Sequence, residues 1–279
     1  MLRTALAIGL AAALLASGCA PPKADVSGVP LFDQLETAVE AGNMPRAKTL
    51  ADKILNGHGV DIDKYKRVRG AFARAGRFRE SAEIMEGALG RYKGTSDEAD
   101  VQRYLGADYR VLHEDAKARA AYEQALSLEP DGASVQNDYA YFLAERKTDL
   151  RRALKMAEYA YSKAKDSEQT QDTYGWVLLT MGNAKQALPL FEKAVRQDPE
   201  NGEINFHLAC ALEAMHRNAE AAAAYARVLQ GETPERKTKQ IATARLKALD
   251  PKKYAEVTKL SGDKPASEGP RGPLPDGLK

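Results

Sequence analysis

Reactive side chains are scarce in this chain of 279 residues, which has two cysteines and four histidines. His207 and Cys210 stand three residues apart, so on a helix they share one face, with His216 close behind. A thiol beside an imidazole is the arrangement of a nucleophilic cysteine, and further ligands would make it a metal site. Neither is completed, because no third ligand or activating base stands at helical spacing. His113-Glu114 opens like a zinc-binding helix, whose second histidine falls four residues after the first, but that position is Lys117. Glycine-rich phosphate loops and nucleophile elbows are absent from the sequence. The expectation is a protein that is not an enzyme and that uses no cofactor and no metal.

Cys19 stands in a different setting. It follows Leu15-Ala16-Ser17-Gly18 at the end of a run, Leu2 to Ala16, whose only charge is Arg3. A basic start, a short apolar stretch and small residues at the cut make a secretory signal peptide, and the stretch falls short of the about 20 residues that span a bilayer. The cysteine directly after Gly18 makes the segment resemble the lipobox of bacterial lipoproteins, with Ala16 where that family most often has leucine. The resemblance implies that residues 1–18 are removed, that Cys19 carries the lipid, and that more than one acyl chain holds the protein durably. Ala20 stands where aspartate marks retention at the inner membrane, which implies sorting to the outer membrane, facing the periplasm. With Cys19 so modified, Cys210 has no partner for an intramolecular disulfide.

Behind the leader stand about 260 residues, enough for one elongated domain or two small ones. A hydrophobic content of 44% and a charged content of 29% describe a folded body, and a net charge of +2 makes no electrostatic case for nucleic acid as a partner.

That body repeats itself. Five positions after Gly42, Gly76, His113, Thr148, Gly182 and His216 comes a small residue: Ala47, Ser81, Ala118, Ala153, Ala187 and Ala221. Nine positions on stand Ala51, Met85, Tyr122, Ala157, Phe191 and Tyr225. Twelve positions on stand Ile54, Ala88, Ala125, Ala160, Ala194 and Val228. The anchors are 34, 37, 35, 34 and 34 residues apart. Steps of four and three keep each set on one helical face, where the small residue admits a neighbouring helix and the larger one fills the space beside it. The preceding helix carries the complement, a small residue followed three later by a large one: Gly106/Tyr109, Ala140/Leu143, Gly175/Leu178 and Ala209/Leu212. Turn residues such as Gly182-Asn183 separate the helices, and Pro130 and Pro199 close two repeats.

At these positions the chain resembles the tetratricopeptide repeat family, most fully in the copy with Gly175, Leu178, Ala187, Phe191, Ala194 and Pro199. The resemblance covers residues 31–232. It implies an all-α fold, a right-handed superhelix of antiparallel helix pairs, about six repeats, with a C-terminal capping helix. Residues 31–94 make two degenerate copies, with Leu35 and Arg69 at the small position, and 95–232 make copies three to six. Extra residues fall at Thr95-Ser96-Asp97 and Arg146-Lys147-Thr148. Residues 19–30 read as a tether and 233–260 as the cap, anchored by Ile241, Leu246, Leu249, Tyr254 and Val257. Residues 261–279, rich in glycine and proline, read as a disordered tail. Positions 235–253 hold seven Lys or Arg against two acids, a solvated cap face or a surface for an anionic polymer or lipid.

Carried over residue by residue, the family's concave first-helix positions are Arg103 and Arg110 in copy three, Asn137 and Tyr141 in copy four, Asp172 and Trp176 in copy five, and Phe206 in copy six. Trp176, Tyr141 and Phe206 form an aromatic strip in that groove, unless Trp176 packs between repeats. Ala107 stands where the chaperone-binding subclass has asparagine, so its carboxylate clamp is not expected. The resemblance implies a membrane-anchored scaffold that binds another protein or peptide. It is similar to the pilus-assembly lipoproteins of type IV and Flp/Tad systems, and equally to adaptors of peptidoglycan-remodelling enzymes.

Overall fold

The computed structural model describes residues 29–57, 61–231 and 236–261. The expected signal peptide with Cys19, the tether up to residue 28 and the tail from residue 262 lie outside them. Among the described residues the secondary structure is helical, with fourteen helices and no strand. None of these helices is long and apolar enough to cross a membrane.

The chain divides into two units, residues 1–58 and 59–279. In the first, α1 (Leu31–Glu40) packs on α2 (Met44–Leu55) through Leu35, Val39, Ala47 and Leu50, all buried. Leu35, which takes the small position of this degenerate copy, is itself fully enclosed.

The second unit holds α3 (Ile62–Arg74), α4 (Phe78–Tyr92), α5 (Glu98–Val111), α6 (Asp115–Leu128), α7 (Ala133–Glu145) and α8 (Leu150–Lys163). It continues with α9 (Glu168–Thr180), α10 (Ala184–Gln197), α11 (Gly202–Ala214), α12 (Asn218–Gln230), α13 (Arg236–Leu249) and α14 (Pro251–Ser261). Each helix packs on the next in the chain. First helices also meet first helices, α5 on α7, α7 on α9, α9 on α11 and α11 on α13, so the pairs stack in register as a superhelical array.

The repeat anchors are the residues that turn the chain. Gly42, Gly76, His113, Gly182 and His216 all lie in the left-handed region, with φ from 57° to 84°. At each, two amides fold back on the helix just ended: Gly182 N–H donates to the Leu179 carbonyl and Asn183 N–H to that of Leu178, both at 2.9 Å. This closure caps orphan carbonyls and reverses the chain in two residues. In copy four the left-handed residue is Lys147 (φ 53°), and Asp149 (φ 46°) adds a second. The extra residue read from the sequence at Arg146-Lys147-Thr148 is therefore absorbed in the turn itself.

The packing faces are also as expected. All six residues at the +5 position, Ala47, Ser81, Ala118, Ala153, Ala187 and Ala221, are 0% exposed. A Cβ on Gly106 would lie 2.7 Å from the Tyr122 ring, and one on Gly175 would lie 2.8 Å from Phe191. Those glycines are required by the close approach of first and second helices. Gly175→Val is expected to lower stability by about 2 kcal/mol through overpacking. Gly87→Ala, where nothing lies within 4 Å of the added carbon, is expected to raise it by about 0.5–1 kcal/mol through helix propensity. Urea midpoints of the two variants that shift in the same direction would contradict this packing.

The capping region differs from expectation in one respect. It is present, but as two helices, because Pro251 cannot donate to the α13 ladder and starts α14 instead. Asp250 caps the new start, accepting the Lys253 N–H at 2.9 Å. With α13 on α11 and α12 and α14 on α12, the cap forms a seventh helix pair, sealed by Ala242, Leu246 and Val257.

Candidate functional site

The first helices α3, α5, α7, α9 and α11 line a cavity of about 500 Å3. Five of the seven expected groove residues reach it: Arg103 and Arg110 from α5, Asn137 and Tyr141 from α7, and Asp172 from α9. Trp176 and Phe206 are not part of its lining. They are buried, at 8% and 6% exposure, behind the wall that the other five form.

Most charges in the wall already have partners one repeat away. Arg103 Nη1 meets Asp138 Oδ2 at 2.8 Å, and its Nη2 meets Asp100 Oδ1 at 3.2 Å. Lys66 reaches the same Asp100 at 2.6 Å, and Arg110 Nη1 meets Glu145 Oε2 at 3.0 Å. Arg69 meets the buried Asp108 at 2.6 Å, and the Ser81 hydroxyl donates to that carboxylate at 2.7 Å. Apart from Arg103–Asp100 within α5, these ion pairs join residues 34, 35 or 39 apart in sequence, so they form a ladder of cations on one first helix and acids on the next. Arg69 thereby explains how copy two carries a long residue at its small position: the guanidinium is matched by Asp108 on the neighbouring repeat.

A second cluster centres on His207, which is 2% exposed. Its Nδ1–H donates to the Asp172 carboxylate at 2.9 Å, which sets the tautomer of the neutral ring. The ring stacks on Trp176 at 4.1 Å between centroids, with Phe191 and Phe206 at 5.9 and 6.0 Å. The Tyr141 hydroxyl donates to Glu203 Oε1 at 2.6 Å and lies 3.5 Å from His207 Nε2. Burial disfavours the imidazolium, but Asp172, with Glu203 and Glu145 behind it, outweighs burial and raises the His207 pKa above its ordinary value. Trp176 is thus a packing partner of His207 across two repeats, and its Nε1–H is buried without an acceptor.

Cys210 is not paired with His207 in any chemical sense. Its sulfur lies 3.7 Å from the Tyr225 hydroxyl, and burial pushes the thiol up to about 12, away from the reactive thiolate. Among the described residues no group of three His, Cys, Asp or Glu side chains is placed to hold a metal ion. His113 and His216 serve as left-handed turn residues.

Besides its tyrosines, the wall carries uncharged polar groups from Ser134 and Asn137 on α7, Gln169 and Thr173 on α9, and Asn201 beside α11. Asn137 is 8% exposed, and its Nδ2 donates to Asp138 at 3.3 Å while its Oδ1 is buried with no partner. Sequence reasoning passed over Ser134, Asp138, Gln169 and Thr173. Ser134, Asp138 and Gln169 lie three residues from Asn137, Tyr141 and Asp172, and Thr173 lies four from Gln169, so the helical spacing that placed the expected residues could have found them.

Comparison with known proteins agrees with this geometry. Residues 103–233, spanning α5 to α12, match the tetratricopeptide repeat family. That match and the stacked helix pairs describe a tetratricopeptide-type superhelical fold. The human mitochondrial import receptor subunit TOM70 is 28% identical over 109 residues, which are 39% of this chain. The match spans 18% of the length of TOM70. Among solved structures, PilW, a widely conserved type IV pilus biogenesis factor, superposes with a TM-score of 0.56 at 17% identity, over 74% of this chain and 94% of that one. PilF from Pseudomonas aeruginosa superposes with a TM-score of 0.50 at 21% identity, over 72% and 92%. At such identities the likeness is one of fold. The residues that match the family are those that build most of the cavity wall.

Proposed function

We propose that this protein is a non-catalytic scaffold of the bacterial cell envelope, anchored to the outer membrane through lipid on Cys19, that holds an extended segment of a partner protein in the first-helix cavity. The observation that carries the reading is the Asn137 carboxamide, whose buried Oδ1 lacks a donor in a wall whose charges are already paired. An unmatched buried acceptor costs about 1–3 kcal/mol, and a main-chain N–H from a bound segment removes that cost once the Asn137 side chain turns to present its oxygen to the cavity. The segment is recognised by hydrogen bonds and shape and not by net charge. The fold likeness to PilF and PilW supports assembly of a pilus or secretion complex as the setting, and Leu15-Ala16-Ser17-Gly18-Cys19 supports the anchor. A net charge of +2 supports a partner other than nucleic acid.

Site-directed photocrosslinking in intact cells tests this. A label at Gln169, which lines the cavity, is expected to capture one partner protein, and a label at Lys185, exposed on α10, is expected not to. Asn137→Ala is expected to weaken capture about tenfold, the equivalent of about 1.4 kcal/mol. Capture is expected to change little between low and high salt. The Cys19→Ser protein is expected in the soluble periplasmic fraction. Equal capture from both labels, or capture that collapses with salt, would remove the groove reading.

A further inference from the structure

A second cavity, of about 270 Å3, lies between α12 and α14, away from the first-helix groove. Ala223, Ala226 and Val257 make its apolar part, and Arg227, Gln230, Lys253 and Glu256 its polar part. Arg227 shares with Arg119, which donates to the Tyr139 and Thr148 hydroxyls, the lack of a carboxylate partner that most half-buried guanidiniums have. Arg69, Arg103, Arg110, Arg146, Arg152 and Arg245 each meet a carboxylate. Arg227 meets only a neutral amide: its Nε donates to Asn205 Oδ1 at 2.6 Å. That bond fixes the guanidinium plane, since Asn205 is fully buried and its own Nδ2 donates to the Pro199 and Asn201 carbonyls at 2.9 Å. The two terminal nitrogens of Arg227 have no ion-pair partner among the described residues, and neither has the Lys253 ammonium.

We propose that this cavity binds a compact oxyanion of the phosphate class, with the Arg227 fork and the Lys253 ammonium as its two cationic contacts. A planar fork plus a point charge is the donor set that phosphate oxygens favour, and the fork here is held in place before the ligand arrives. Burial alone acts on Arg227 and lowers its pKa, the sign of a cation enclosed without a counter-charge. Glu256, exposed at the rim, is the one acid in the lining and opposes the anion. Seven Lys or Arg against two acids over residues 235–253 raise the local anion concentration around the mouth. The ligand is a phosphate group, whether free phosphate or the head of an anionic phospholipid whose attached carbons meet Ala223, Ala226 and Val257. The site is separate from the groove and stands whether or not a partner segment binds there.

The test is calorimetric titration of the full chain, held in detergent, with inorganic phosphate in a phosphate-free buffer. Saturable one-to-one uptake is expected, weakened about tenfold or more by Arg227→Gln and by Lys253→Gln and strengthened by Glu256→Gln. Lys247→Gln, at an exposed cap lysine outside the cavity, is expected to leave it unchanged. Dihexanoyl phosphatidylglycerol competing better than phosphate, with the phosphatidylcholine analogue inert, assigns the site to a lipid head. Phosphate competing better assigns it to the free anion. The proposal is overturned by absence of saturable uptake in the folded protein. It is equally overturned if Lys247→Gln weakens uptake as much as Lys253→Gln, which would describe a diffuse basic surface. Lys253→Gln decides the matter should Arg227→Gln disturb the Asn205 contact.

Discussion

An aspartate in place of Ala187 is expected to unfold the repeat that contains it. Ala187 is 0% exposed on the face of α10 that meets α9, beside a contact so close that Gly175 cannot carry a Cβ without meeting Phe191. A carboxylate there has no cation to meet, and ionised burial is prohibitive, so the group protonates instead. Holding a buried carboxyl neutral at pH 7 means protonating a group whose ordinary pKa lies about three units lower, which costs about 4 kcal/mol at ~1.4 kcal/mol per unit. The added volume costs more. In a stacked array each pair is stabilised mainly by its neighbours, so loss of the α9–α10 pair also removes an interface from α8 and from α11. Gln186→Asp, one residue earlier, is the control. Gln186 is exposed in the first turn of α10, where a negative charge faces the positive end of the helix, so the change is expected to stay within about 0.5 kcal/mol. Urea unfolding followed by circular dichroism reads both variants. Similar midpoints would mean that the repeat face is not where Ala187 puts it.

That contrast between adjacent positions depends only on periodicity, and periodicity is what the sequence carries most plainly. The steps of five, nine and twelve from each anchor found the buried face because small and aromatic residues must alternate for helices to meet closely. The anchors themselves were legible only in part. Gly42, Gly76 and Gly182 announce a left-handed residue, but His113, Lys147 and His216 occupy the same conformation at a steric cost that their type does not reveal. For this reason the fourth turn read as starting at Thr148 and not at Lys147. Pro189 is a similar case: it lies inside α10, and the packing of Ala187, Phe191 and Ala194 outweighs its missing N–H.

The candidate site was legible by position and not by partnership. Transferring first-helix positions placed Arg103, Arg110, Asn137, Tyr141 and Asp172 in one wall, which is a matter of helix geometry alone. That Arg103 and Arg110 are held by Asp138 and Glu145 could not be read from one helix, because both partners stand 35 residues away on the next. The spacing nearly equals the repeat length, so the ladder is a property of the stack. It leaves the neutral carboxamides and hydroxyls as the available recognition groups, which changes the expected chemistry of the groove from ionic to hydrogen-bonded. Trp176 and Phe206 were assigned to the same wall because aromatic residues anchor interfaces. His207, one residue beyond Phe206, stacks on the Trp176 ring and meets Phe206 at a tilt, and both rings are buried.

His207→Ala is expected to be the most damaging single change near the cavity, by about 3–5 kcal/mol. The histidine ties α11 to α9 through Asp172 and sits against Trp176 and Phe191, while Tyr141 approaches it from α7. Its removal leaves a buried carboxylate without a partner, and breaking a buried pair from one side costs about that amount. Removing both sides costs less than the sum: His207→Ala with Asp172→Ala is expected to be more stable than additivity predicts, because the second change deletes the stranded charge. The pH dependence follows from the raised pKa of His207. The native protein keeps a proton on this ring that the unfolded chain releases above about 6.5, so the native state binds more protons in that window. Stability contributed by the pair is therefore fully present below pH 6.5 and is lost as pH rises through the raised native value. Asp172 acts in the same direction at lower pH, since burial raises its pKa above the ordinary 3.8 in spite of His207. Urea midpoints of the parent protein are thus expected to fall from pH 6 to pH 9, and those of the double variant to fall less. A parent profile that rises across that range, or one that the double variant reproduces, would separate His207 from the stability of the repeat stack and leave the aromatic contacts alone to explain it.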